Sequence, residues 1–135
     1  MIRTFLDSGV LLTAWKGKDR MPALSVMEDA GREFVTAEMV KLELLPKPTF
    51  EKRRAELEFY REHFEGIFSE PFSRQLGDEA LALAKFHGLA AADALNLAAA
   101  IRQGAAEFIT SELPGKPMFR VKEISVRALS TLPRS

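Results

Sequence analysis

Short apolar runs of strand length alternate with stretches of helical periodicity from one end of the chain to the other, and that alternation restricts the fold most. The runs are Ile2 to Leu6, Glu33 to Thr36, Ile67 to Glu70, Glu107 to Thr110 and Phe119 to Ser125. After the first, Ser8 and Gly9 turn the chain and VLLTAW reads as a helix. Further helices are expected from Pro22 to Ala30, stopped by Gly31, and from Ala37 to Leu45, ending near Pro46 and Pro48. Thr49 is placed to cap a charged helix reaching about Phe64, with Leu57, Tyr60 and Phe64 on one apolar stripe. Ser73 to His87 and Ala91 to Arg102 complete the set, closed by Gly88 and Gly104. The last of these is apolar nearly all round, so it belongs in an interior. Strands alternating with helices predict an α/β fold, a central parallel sheet flanked by helices on both faces.

A chain of 135 residues suits a single domain over 1–135. Its 47% hydrophobic and 28% charged residues are those of a globular protein. Cysteine is absent, which excludes disulfides and thiolate zinc sites and fits a reducing, cytoplasmic setting. The start MIRTFLDSGV has no signal-peptide character, and no apolar run approaches the ~20 residues of a membrane span. Nineteen basic residues balance 19 acidic ones, so phosphate binding would need a local patch or metal ions.

Sites in parallel sheets form beyond the carboxyl ends of the strands. Asp7 closes the first strand there, Glu112 follows the strand EFIT at the same edge, and Asp93 opens the buried helix that feeds that strand. Carboxylates gathered at a partly buried place are stable when ionised only with a cation or a shared proton. Hard oxygen donors without cysteine or a histidine pair point to Mg2+ or Mn2+, ions that clamp phosphate oxygens and activate water for in-line attack. A fourth carboxylate comes from VTAEMVKLELLPK, where both Glu38 and Glu43 are candidates; Glu43 shares a face with Met39 and Val40. His63 and His87 are isolated, and Ser8 has no recognisable triad partners.

Four segments in this order, FLDSGVLL, TAEMVKLELL, GLAAADALNLAAAIRQGA and FITSE, resemble the PIN-domain ribonucleases, especially the VapC-type toxins of bacterial toxin–antitoxin pairs. The resemblance implies Mg2+- or Mn2+-dependent cleavage of single-stranded RNA, a small antitoxin partner and, in many members, a homodimer. It places the acidic ligands on Asp7, Glu43 (before a leucine pair, LELL), Asp93 and Glu112, with Thr110 and Ser8 in support. Lys41, Lys47, Lys116 and Arg120 are candidates for contacts to substrate phosphates. Three features depart from the family pattern: Glu112 stands where aspartate is usual, Gly9 replaces a common asparagine, and LPGKPMF replaces a more acidic loop. They support a competing reading, a PIN-like domain that binds RNA or a protein without cutting.

Overall fold

The computed structural model describes residues 1–18 and 20–133. Strand β1 spans Ile2–Leu6 and helix α1 Ser8–Lys16. The predicted turn at Ser8 and Gly9 is therefore the first turn of the helix. Asp7 is its N-cap, accepting a hydrogen bond from the Ser8 N–H at 2.8 Å, so one carboxylate ends the strand and starts the helix. Helix α2 (Arg20–Met27) leads to β2 (Arg32–Ala37) and α3 (Glu38–Leu44).

Pro46 does not leave a gap after α3. It opens a separate short helix, α4 (Pro46–Phe50), because proline fits the first turn, where its missing N–H is not needed. Thr49 lies inside α4 and donates its hydroxyl to the Leu45 carbonyl at 2.7 Å instead of capping the next helix. The chain then reverses at Lys52, φ 57°, and α5 runs over Arg54–Phe64. Strand β3 is Phe68–Glu70. Helix α6 (Arg74–His87) is capped by Ser73, whose hydroxyl accepts from the Leu76 N–H at 3.0 Å, and it ends on Gly88 in the left-handed region, φ 71°. Helix α7 (Ala91–Arg102) and β4 (Glu107–Thr110) match their expected bounds. The last strand does not: Pro117–Arg120 forms a 3-10 turn, and β5 is Ser125–Ala128. Met118, Val121 and Ile124 are buried by this connection without pairing in a sheet.

The sheet is five-stranded, all parallel, in the order β3-β2-β1-β4-β5. From β1 the chain moves one way to β2 and β3, then crosses back to lay β4 and β5 on the other side. Right-handed crossovers put α1 to α5 on one face and α6 and α7 on the other. Contacts agree: α1 packs on α2 and α5, and α6 packs on α7. Phe5 and Phe108, both fully buried, stack across neighbouring strands with ring centroids 5.2 Å apart. The expectation for α7 holds, with Ala94, Leu97, Ala98, Ala99 and Ala100 all buried. Among the described residues no helix is long and apolar enough to cross a membrane.

Candidate active site

The reversal of strand order at β1 opens a crevice at the carboxyl ends of β1 and its neighbours. Asp7 stands at its floor. Its N–H still bonds to the Ile109 carbonyl at 3.0 Å, which ties it to β4, and the residue is 8% exposed. The Thr110 hydroxyl, at the end of β4, donates to Asp7 Oδ2 at 3.0 Å, while Oδ1 receives the Ser8 N–H. Thr110 Oγ1 also accepts from the Glu112 N–H at 3.1 Å, which fixes the turn leaving the strand. Ser8 thus contributes its backbone N–H to the site.

Glu43 reaches the crevice from α3 and Asp93 from the first turn of α7. The N-cap of α7 is Ala90, with no side-chain cap bond, so Asp93 is not spent on capping. The carboxylates sense one another. Burial pushes the Asp7 carboxyl up to about 6, Glu43 and Asp93 add repulsion, and the Thr110 and Ser8 hydrogen bonds only partly offset both. Glu43 is raised by desolvation and then by Asp93, and Asp93 by desolvation and then by Glu112. Glu38, the alternative on α3, is turned elsewhere: it accepts a hydrogen bond from Ser69, pairs with Lys41 at 3.2 Å and titrates below the usual range.

The structure therefore brings Asp7, Glu43 and Asp93 into one electrostatic neighbourhood, with Glu112 exposed at its edge beside Asp93. In their present rotamers no three of the described acidic or histidine side chains stand close enough to hold one ion together. The donor chemistry fits a hard divalent cation, being all oxygen and mutually repulsive, with Glu112 on an exposed stem at the rim. Of the expected phosphate contacts, Lys47 and Lys116 are exposed and form no ion pair with a described residue. Lys41 is held by Glu38 and lies 5.5 Å from the centre of the Phe64 ring, and Arg120 donates to the His87 carbonyl at 3.1 Å.

Two participants were not foreseen from sequence. Asn96 is 1% exposed, and its Nδ2 donates to Glu43 Oε1 at 2.8 Å. Its own Oδ1 is buried without a hydrogen-bond partner among the described residues, which costs roughly 1–3 kcal/mol. The available signal was one polar residue, three positions after Asp93, in a helix otherwise built from alanine and leucine. Ser111 is the second. A Cβ placed on Gly9 would lie 2.1 Å from Ser111 Oγ and 3.3 Å from its Cβ. The Ser111 hydroxyl occupies the space over α1 that a Cβ at position 9 would take.

An open parallel sheet with carboxylates gathered at its switch point defines an α/β protein whose chemistry sits at the carboxyl edge. The sequence profile of the PIN domain family matches residues 4–112, and the chain belongs to that family, whose members are generally nucleases. Solved structures share the fold at low identity. The VapBC2 toxin–antitoxin pair of Rickettsia felis, bound to a promoter DNA fragment, contains a chain similar at TM-score 0.70 and 14% identity, covering 94% of this chain and 98% of that one. A toxin–antitoxin complex from Klebsiella pneumoniae gives 0.67 and 17% identity, covering 90% and 94%. FitAcB from Neisseria gonorrhoeae gives 0.61 and 17%, covering 96% and 99%. No curated protein matches the sequence.

Proposed function

We propose that this single PIN-like domain, residues 1–135, is a divalent-metal-dependent endoribonuclease cutting single-stranded RNA in the cytoplasm, the toxin of a toxin–antitoxin pair. The observation that carries the reading is the gathering of Asp7, Glu43 and Asp93 at the switch point of the sheet, where desolvation raises all three and Glu43 and Asp93 raise Asp7 further. A buried carboxylate with further carboxylates beside it is costly to ionise without a cation, and Mg2+ or Mn2+ answers that cost.

Asp7, Glu43 and Asp93 would hold the ion, with Glu112 swinging in from the rim. An ion held there would supply positive charge for the phosphodiester and make water easier to deprotonate at neutral pH. Thr110 and the Ser8 N–H keep Asp7 fixed in orientation, and Asn96 does the same for Glu43. No side-chain nucleophile is required. Lys47 and Lys116 are the exposed cations offered to substrate phosphates outside the crevice, and Lys41 and Arg120 join them only by leaving their present partners.

The antitoxin partner is supported by the toxin–antitoxin complexes that share the fold. A homodimer is supported by the exposed apolar side chains Leu42, Phe50 and Phe72, which line one groove beside α3.

Purified protein with manganese is expected to cleave single-stranded RNA, and Asp7→Asn or Asp93→Asn to reduce the rate by at least about 100-fold, the range seen when a group essential to catalysis is lost. Full cleavage by both variants rejects this site. Metal-independent RNA binding without cleavage by the wild type supports the non-cutting reading.

A further inference from the structure

We infer that Asn96 is a positioning residue for the metal site, holding the Glu43 carboxylate in the orientation that receives the ion; the inference rests on the metal-dependent reading of the site. Three observations lead to it. Asn96 is almost wholly buried in a helix whose other buried positions are alanine and leucine. Asparagine is a poorer helix former than either. Half of its amide is unsatisfied, since Oδ1 meets no donor among the described residues. A leucine, with the same branching and number of side-chain heavy atoms, would suit the helix better and leave no polar atom unsatisfied, so helix propensity and hydrogen bonding do not account for the residue.

Geometry does. Asn96 follows Asp93 by three positions, so both project from one side of α7. One helix thereby supplies a carboxylate to the crevice and an amide that grips the carboxylate arriving from α3. The contact runs Nδ2 to Glu43 Oε1 at 2.8 Å. The amide must face this way round, because its oxygen would repel an ionised carboxylate. With Oε1 held, Oε2 accepts no hydrogen bond from a described residue and is left to face the ion. Glu43 sits on an otherwise exposed, flexible stem, and without Asn96 it would have to be ordered by the ion itself. Partners of this kind orient ligands, and their loss typically weakens metal binding by about 10–100-fold.

The test is a calorimetric titration of the full-length protein with Mn2+ alone, in the absence of RNA. Asn96→Leu is expected to bind Mn2+ about 10–100-fold more weakly than wild type, while its metal-free melting temperature equals or exceeds that of wild type. A purely structural role would lower the melting temperature instead. Should the leucine fail to fit, Asn96→Ala removes the amide without adding bulk and carries the same expectation for affinity. In a Glu43→Gln background the Asn96 substitution is expected to change affinity no further, because it acts through that carboxylate.

Unchanged Mn2+ affinity in Asn96→Leu and Asn96→Ala overturns the inference, and so does an undiminished effect in the Glu43→Gln background. Wild type that binds Mn2+ but leaves RNA intact rejects the nuclease reading, yet an Asn96-dependent affinity in that protein still supports the inference. Wild type that binds no Mn2+ overturns both.

Discussion

At the scale of single residues, the role proposed for Asp7 and its effect on stability oppose each other. Its carboxyl is raised from 3.8 to about 6, with burial as the main cause. The metal-free fold therefore holds that proton more tightly than the unfolded chain does. Its stabilising effect is complete below about pH 3.8 and is lost as pH rises through about 6. At ~1.36 kcal/mol per pH unit the ionised side chain costs the metal-free protein about 3 kcal/mol near neutrality. Asp7→Asn, measured in chelator, is expected to melt above wild type at pH 7 and to lose that advantage by pH 4. An advantage that persists unchanged at pH 4 would assign the gain to something other than this ionisation. The same substitution is the one expected to stop cleavage, so a variant can be more stable and inactive at once.

At the scale of elements, the way α1 meets the end of β4 ties two positions together that sequence alone leaves unrelated. Gly9 lies under Ser111, with an added Cβ only 3.3 Å from the serine Cβ. Gly9→Asn, which restores the commoner family residue, is expected to turn the exposed Ser111 hydroxyl aside and to cost no more than about 1 kcal/mol. Adding Ser111→Gly is expected to recover part of that loss, read as a non-additive melting shift in a double-mutant cycle; strictly additive shifts would mean the two positions do not share the space. The same contrast between local and long-range information runs through the elements. Helices α6 and α7 were legible because Ser73, Gly88 and Gly104 mark their ends locally. The α3–α4 boundary was not, because a proline stops one helix as readily as it opens the next, and at Pro46 it does the latter. Strand β5 was misplaced because burial of Met118, Val121 and Ile124 imitates a strand, while the ladder with β4 begins only at Ser125. In the site, Asp7, Asp93 and Glu112 could be placed on one rim from strand order alone. Asn96 could not, since its meaning lies in Glu43, 53 positions away.

At the scale of the whole molecule, the sheet treats Asp7 and Glu107, buried acids towards its two ends, in opposite ways. At the carboxyl end Asp7, Glu43 and Asp93 form no ion pair with a described residue, whereas Glu70, at the end of β3, is paired with Arg102 at 3.4 Å. At the amino end Glu107, the first residue of β4, is 5% exposed and accepts from Thr4 at 2.9 Å, Arg32 at 2.8 Å and Arg127 at 2.8 Å. Burial alone would raise its pKa, but these hydrogen bonds more than offset burial and hold it below the usual range. The three donors come from β1, β2 and β5, so one carboxylate clamps four strands at the end of the sheet away from the candidate site. The sign of its pH dependence is opposite to that of Asp7: the contribution is present above the ordinary glutamate value of 4.5 and is lost as pH falls through its depressed value. Glu107→Gln leaves Arg127, which is partly exposed, and Arg32, which keeps Asp29 as a partner, facing a neutral amide, a loss of charged hydrogen bonds that costs about 1–3 kcal/mol. Its melting temperature at pH 7 is expected to fall accordingly, with the deficit shrinking in acid, while Mn2+ affinity stays at the wild-type value because the clamp and the crevice lie at opposite ends of the same strands. A parallel loss of Mn2+ affinity in folded Glu107→Gln would show that the two ends are coupled through the sheet, and the division of labour between them would have to be abandoned.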